Sequence, residues 1–178
     1  MKEEIIIAGF GGQGVLSMGK ILAYSGLMDD KEVTWMPSYG PEQRGGTANV
    51  TVILSDDKIS SPVLDRFDVV IALNQQSLDK FGPKVKAGGI LIYDTNGIHK
   101  HPQRDDIKVY PIDAMEATLE IGNSKAYNMV VMGALLEAME YKLPMENVIK
   151  GLKKSLPERH HKLIPLNEQA IEKGRSLI

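Results

Sequence analysis

Apolar residues come first in short runs and later in longer helical stripes. Ile5-Ile6-Ile7-Ala8 is the first run and leads into Gly9-Phe10-Gly11-Gly12-Gln13-Gly14. From Val15 to about Met28 the apolar positions Val15, Leu16, Met18, Ile21, Leu22 and Leu27 recur at helical spacing, which predicts a helix with a wide apolar face. Asp29-Asp30-Lys31 is a turn. From Glu32 to Pro37, Val33, Trp35 and Pro37 alternate with Thr34 and Met36, and this reads as a second strand. No helical pattern fits Tyr39 to Gly46. Thr47 to Leu54 alternates and is rich in β-branched residues, so it is a third strand. Without a helix between strands two and three, they are expected to pair antiparallel, in a mixed sheet.

Asp68 to Leu73 and Ile90 to Tyr93 are continuous apolar runs of the kind that both faces of a sheet bury. Asn74 is placed to cap a helix that runs to about Phe81, and Gly88-Gly89 to turn the chain into the next strand. His99 to Asp106 is polar and loop-like. Ile107 to Ile112 is a further strand, with Asp113 capping a helix to about Ile121. Strands thus alternate with helices, and the C-terminal part is helical. Ala126 to Leu136 is apolar all round, which places it inside the domain or against another subunit. Pro144 starts the next helix, Pro157 breaks it, and the last segment is interrupted or restarted at Pro165. The expected fold is α/β: a three-layer α/β/α sandwich on a mostly parallel, mixed sheet. The 178 residues suit one domain spanning 1–178, with no visible repeat or low-complexity tract.

Composition narrows the chemistry. Net charge is −2, so no basic excess points to nucleic acid. Cysteine is absent, which excludes disulfides, thiolate-held iron–sulfur clusters and a cysteine nucleophile. No apolar run approaches the roughly 20 residues of a membrane span, and the first residues do not read as a signal peptide. The cytoplasm is the expected location.

Gly9-x-Gly11-x-x-Gly14 between a strand and a helix matches the dinucleotide fingerprint. Its glycines either let strand and helix pack closely or open the turn to an anion at the helix N-terminus. A nicotinamide enzyme should also carry an acid at the end of strand two. Here that strand ends Met36-Pro37-Ser38-Tyr39, which argues against NAD but not against an anion. In the next loop Arg44 beside Gly45-Gly46 offers a guanidinium to a phosphate or carboxylate; a solvated connection is the plainer alternative. The carboxyl edge of such a sheet also gathers Ser38, Asn74-Gln75-Gln76 and Asp94-Thr95-Asn96. Taken singly, Asn74 and Asp94 are better explained as a cap and a turn residue. The pairs His99/His101 and His160/His161 lack a zinc spacing and read as surface. There is no Gly-x-Ser-x-Gly elbow and no Walker lysine, so the chain holds no self-contained catalytic set and no metal site is assigned.

Two strings carry a resemblance: Ile7-Ala8-Gly9-Phe10-Gly11-Gly12-Gln13-Gly14-Val15, and Ser38-Tyr39-Gly40-Pro41-Glu42-Gln43-Arg44-Gly45-Gly46-Thr47-Ala48. With Ile59-Ser60-Ser61-Pro62, Ala72-Leu73-Asn74-Gln75 and His161-Lys162-Leu163-Ile164-Pro165-Leu166-Asn167, the chain resembles the gamma subunit of the 2-oxoacid:ferredoxin oxidoreductases. A related subunit of indolepyruvate oxidoreductase shares the domain. These enzymes decarboxylate pyruvate, 2-oxoisovalerate or 2-oxoglutarate on thiamine diphosphate, pass electrons through iron–sulfur clusters to ferredoxin and form an acyl-CoA.

The resemblance implies that thiamine diphosphate and clusters sit on partner subunits, alpha and beta, with delta a further candidate. It implies that the gamma domain faces coenzyme A and completes the assembly. The coenzyme A-facing residues expected on this basis are Gly11, Gly12, Gln13, Gly14, Ser38, Tyr39, Arg44, Gly45, Gly46 and Asn74, with no catalytic residue in this chain. The isolated chain is expected to be inactive, with apolar surface open around Ala126–Leu136 or Tyr39, and a homodimer is an option for it. Two other readings stand beside this one: a stand-alone nucleotide-binding protein or reductase, and a subunit with no ligand role.

Overall fold

The structure, a computed structural model, describes residues 1–40, 46–140 and 142–178. Its sheet has six strands: β1 (Lys2–Phe10), β2 (Glu32–Tyr39), β3 (Thr47–Ser55), β4 (Phe67–Ala72), β5 (Val85–Asp94) and β6 (Lys108–Ile112). Their order is β2-β3-β1-β4-β5-β6. β1, β4, β5 and β6 pair in parallel, while β3 is antiparallel to both β1 and β2. β3 is thus the one reversed strand. The hairpin expected from the missing helix is present, and its second strand is wedged between β2 and β1. Phe10 lies opposite Thr47, so the start of β3 adjoins the glycine turn.

The helices are α1 (Val15–Met28), α2 (Gln75–Phe81), α3 (Ala114–Ile121), α4 (Tyr127–Ala138), α5 (Met145–Ser155) and α6 (Ile164–Arg175). Strand alternation separates two cores. Ile5, Ile7, Val50, Val52, Val69, Ile71 and Ile92 face the larger, built with α1 and α3 to α6. Ile6, Ala8, Val70, Leu91 and Tyr93 face the smaller, closed by Leu78 and Phe81 of α2. Helices cover both faces, but unevenly. The β1-α1-β2 connection crosses one face and β4-α2-β5 the other. A loop without an α-helix joins β5 to β6, so no second α-helix joins α2.

Two local expectations change and a third is decided. Gly88 and Gly89 lie inside β5, which starts at Val85, where the pairing shifts between Phe67↔Val85 and Val69↔Ile90. The extra β5 residues bulge there, and Gly88 adopts φ 77° and donates its N–H to Asp106 O at 2.7 Å. The last helix restarts at Pro165, as one of the two readings has it. The proline sits in the first turn of α6, where a missing N–H is harmless. The all-apolar stretch is α4, and its surface is not open. Gly133 of α4 faces α6 and Gly174 of α6 faces α4: a Cβ on them would lie 2.0 Å from Ile171 O and 1.8 Å from Val130 O. That reciprocal close approach buries α4 within the chain. Exposed apolar residues lie instead along the edge strand β2, at Trp35, Met36 and Tyr39. No helix among the described residues is long and apolar enough to cross a membrane.

The amino edge of the sheet is closed by ion pairs. Glu4, almost buried, meets Lys2 and Lys86; Lys86 also reaches Asp68 at 2.8 Å; Glu3 pairs with Lys142.

Candidate functional site at the carboxyl edge

At the opposite edge β1 ends at Phe10 and turns through Gly11 to Gly14 into α1. Gly12 and Gly14 have φ of 98° and 74°, in the left-handed region that favours glycine. Gly14 occupies the N-cap position without a side-chain cap, and a Cβ there would also strike Asn128 at 2.7 Å. The N–H groups of the first turn of α1 therefore open towards the turn, as helix geometry leaves them. Gly11 is different. Its φ is not left-handed, and an added Cβ would meet only Gly46 O, at an ordinary 3.8 Å. Nothing in the described fold demands glycine there.

Gln13 is used internally. Its Oε1 accepts from Phe10 N at 2.6 Å and its Nε2 donates to Leu73 O at 3.1 Å. The side chain thus bolts the end of β1 to the end of β4. Gly9 makes room for it, since a Cβ there would lie 2.5 Å from Gln13 Oε1.

A hollow lies on each side of the turn. One, of about 320 Å³, is bounded by Gly11, Gly12, Gly14, Ser17, Tyr39 and Ala48. The other, of about 300 Å³, runs between Phe10, Gln13, Asn74, Gln76, Asn96 and Gly97. The second sits between β1 and β4, where the connections leave to opposite faces, the usual place for a ligand in an open α/β sheet. No charged side chain among the described residues lines either.

The expected residues divide accordingly. Gly11, Gly12 and Gly14 line the first hollow together with Tyr39, which is 72% exposed. Gly46 is buried beside it and accepts from Gly11 N at 3.0 Å. Ser38, one place before Tyr39 on β2, alternates to the other face and lines neither hollow. Arg44 and Gly45 lie outside the described residues. Gln13 and Asn74 wall the second hollow. Asn74 caps α2, its Oδ1 accepting from Ser77 N at 2.8 Å, but its Nδ2 is buried without a partner among the described residues.

Asp94 is not in the site. It is buried beneath α4, accepting from Tyr127 Oη at 2.6 Å and Asn96 N at 3.1 Å. Burial pushes its carboxyl up, against the lowering effect of the hydrogen bonds from Tyr127, Asn96 and Ala114, and Asp113 adds repulsion. Burial, then the nearby Asp94, pushes the Tyr127 hydroxyl up as well. Sequence reasoning did not single out Ser17, Ala48 or Gly97. They carry no chemical signal and enter only because the backbone brings them to the turn.

The sequence profile of the family described as pyruvate ferredoxin/flavodoxin oxidoreductase matches residues 4–177. The chain belongs to that family. Among curated relatives of this oxidoreductase family, the ketoisovalerate oxidoreductase subunit VorA of Methanothermobacter marburgensis is 36% identical over 171 residues, covering 96% of this chain but 35% of its own length. The chain therefore spans about a third of that relative. Among solved structures, the gamma subunit of a keto/oxoacid ferredoxin oxidoreductase from Geobacter sulfurreducens aligns with TM-score 0.85 and 28% identity, over 99% of this chain and 96% of its own. A 2-oxoglutarate:ferredoxin oxidoreductase from Magnetococcus marinus, solved with 2-oxoglutarate, coenzyme A and succinyl-CoA, aligns with TM-score 0.87 and 27% identity, over 99% of this chain and 31% of its own. The family domain thus occurs both as a separate subunit and within a longer chain.

Proposed function

We propose that this chain acts, as a single domain, as the gamma component of a 2-oxoacid:ferredoxin oxidoreductase in the cytoplasm. Its carboxyl edge faces coenzyme A in the assembled enzyme, and it supplies no catalytic group. Thiamine diphosphate and the iron–sulfur clusters belong to the partner subunits, alpha and beta, with delta as a further partner. The observation that carries the reading is the glycine turn: Gly11 has room for a Cβ within the described fold, beside uncapped N–H groups at the start of α1. A ligand's close approach gives that glycine a reason, and helix N–H groups suit a phosphate. Arg44, with Gly45 and Gly46, is assigned to the same phosphates on its place in the sequence. The structural likeness to an enzyme solved with coenzyme A supports the assignment. The chain is similar both to a ketoisovalerate oxidoreductase subunit, at 36% identity, and to a 2-oxoglutarate:ferredoxin oxidoreductase, at 27%, and the choice of oxoacid is assigned to the partner subunits.

The test is Gly11→Val in the reconstituted complex, since the isolated chain is inactive on this reading. The branched side chain fills the first hollow, at a fold cost of about 1 kcal/mol or less for an exposed site. The Michaelis constant for coenzyme A should rise about tenfold, equivalent to about 1.4 kcal/mol, with that for the 2-oxoacid unchanged. An unchanged coenzyme A constant would remove the ligand role.

A further inference from the structure

Far from the glycine turn, the β2 flank of the sheet is left open. β2 is the outermost strand there, and α1 packs against it. Between them runs a groove of about 320 Å³, lined by Lys20, Ala23, Tyr24, Leu27, Val33 and Trp35. Lys20, Tyr24 and Leu27 stand at i, i+4 and i+7, one face of the helix. The other flank of α1 is closed by α5, where a Cβ on Gly151 would lie 2.6 Å from Ser25 N. On the open flank Leu27 is 49% exposed and Trp35 41%. Trp35 is braced from behind. A Cβ on Gly19 would lie 3.2 Å from its Nε1, so that glycine lets the indole rest on α1. A braced indole over an apolar floor has the make-up of an interface anchor.

The groove's surroundings select what covers it. Gly40 N donates to Thr47 O at 2.7 Å, so the even-numbered positions of β2 pair with β3 and the odd-numbered ones turn their backbone outward. Pro37 is one of the outward positions and has no N–H to give, which breaks the edge for an added strand. A second copy of this chain on a two-fold axis would set each groove against the same groove, rim to rim, and fill neither. A helix laid beside α1 fills it and continues the helical layer, as α5 does on the other flank. Charge adds one more requirement. Lys20 is exposed, lies 5.9 Å from the centre of the Tyr24 ring, and pairs with no carboxylate among the described residues. The occupant's helix therefore carries an acid where it passes Lys20.

We propose that the α1/β2 groove is a docking surface for an amphipathic helix of a partner subunit, whose apolar face packs on Leu27 and Trp35 and whose border carboxylate meets Lys20. This rests on the reading of the chain as one component of an oxidoreductase. The family domain forms about a third of the VorA and Magnetococcus chains, so there it has further chain to pack against.

The experiment titrates the purified chain onto the purified alpha and beta subunits and measures the dissociation constant. Lys20→Glu and Leu27→Glu should each raise it about tenfold. Lys20→Arg should leave it within about twofold, because the charge is kept. Leu119→Glu, at an exposed apolar position of α3, is the control and should also leave it within about twofold. Lys20 and Leu27 are exposed, so the isolated variants should melt within about 3 °C of the natural chain. If Leu27→Glu folds poorly, Lys20→Glu against Lys20→Arg decides alone. Groove variants that assemble as tightly as the natural chain overturn the proposal. So does an isolated chain that sediments as a dimer and is made monomeric by Leu27→Glu while assembly is unaffected, since a second copy then covers the groove. The gamma-component reading is judged separately. It survives if the natural chain joins the partner subunits and Gly11→Val raises the coenzyme A constant, whatever the groove variants do. A natural chain that does not join them overturns both.

Discussion

The two edges of the sheet are finished in opposite ways. At the amino edge Glu3, Glu4 and Asp68 each face a lysine of the same chain, so every charge brought near the core has its partner in place. At the carboxyl edge the described residues that line the two hollows carry no charge. Among the described residues the start of α1 has no side-chain cap and the Nδ2 of Asn74 has no partner, and Gly11 has room for a Cβ. The amino edge is complete within the chain. The carboxyl edge, among the described residues, is not. Polar groups near a sheet mark a site when their pairing is left unfinished, and the more highly charged edge is here the structural one.

The largest expected effect comes from breaking the finished edge. Lys86→Met leaves the nearly buried Glu4 with Lys2 alone and Asp68 without its cation. Loss of a fully buried partner costs about 3–5 kcal/mol. Lys86 is itself 37% exposed, so solvent screening brings the expected loss down to about 2 kcal/mol. Thermal denaturation should show a midpoint lower by roughly 4–8 °C. Coenzyme A kinetics of the assembled enzyme should not change; a coenzyme A defect equal to that of Gly11→Val would erase the distinction between the edges.

A smaller effect separates the edges by pH. For Glu4, burial raises the carboxyl pKa, but hydrogen bonds and charges from Lys2 and Lys86 together outweigh it, and the net shift is downward. Its stabilisation is present above the unfolded value of 4.5 and is lost as pH falls through the lower folded value. Asp94 is shifted upward. It favours the folded state below its unfolded value of 3.8, and that advantage is lost as pH rises through the raised folded value. Asp94→Asn keeps an acceptor for Tyr127 and removes the titration. Relative to the natural chain, its stability should rise as pH increases above 3.8, measured by urea denaturation at each pH. A relative loss over that range would show that Asp94 is held ionised by its hydrogen bonds.

Much of this was legible where a local rule acts alone. Asn74 and Asp113 cap α2 and α3 as their positions suggest, α1 spans Val15–Met28, and the missing helix before Thr47 marks the hairpin. Periodicity could not say which neighbour buries α4. Gly133 and Gly174 settle that by letting α6 lie against it, and their partnership across the chain leaves no local pattern. The glycine turn was visible as a motif, but its division into two hollows was not. Gln13 has the residue type of a ligand contact and serves as a bolt, because the end of β4 comes within reach of it. Ser38 was grouped with Tyr39 by adjacency, whereas strand alternation puts neighbours on opposite faces.

Hydrogen exchange of this chain within the assembled oxidoreductase, with and without coenzyme A, tests the contrast between the edges most directly. Coenzyme A should slow exchange at the amides from Gly11 to Ser17 and around Asn74, and leave those at Lys2 to Glu4 and Lys86 to Gly89 as they were. Protection at the amino edge, or none at the glycine turn, would contradict the account.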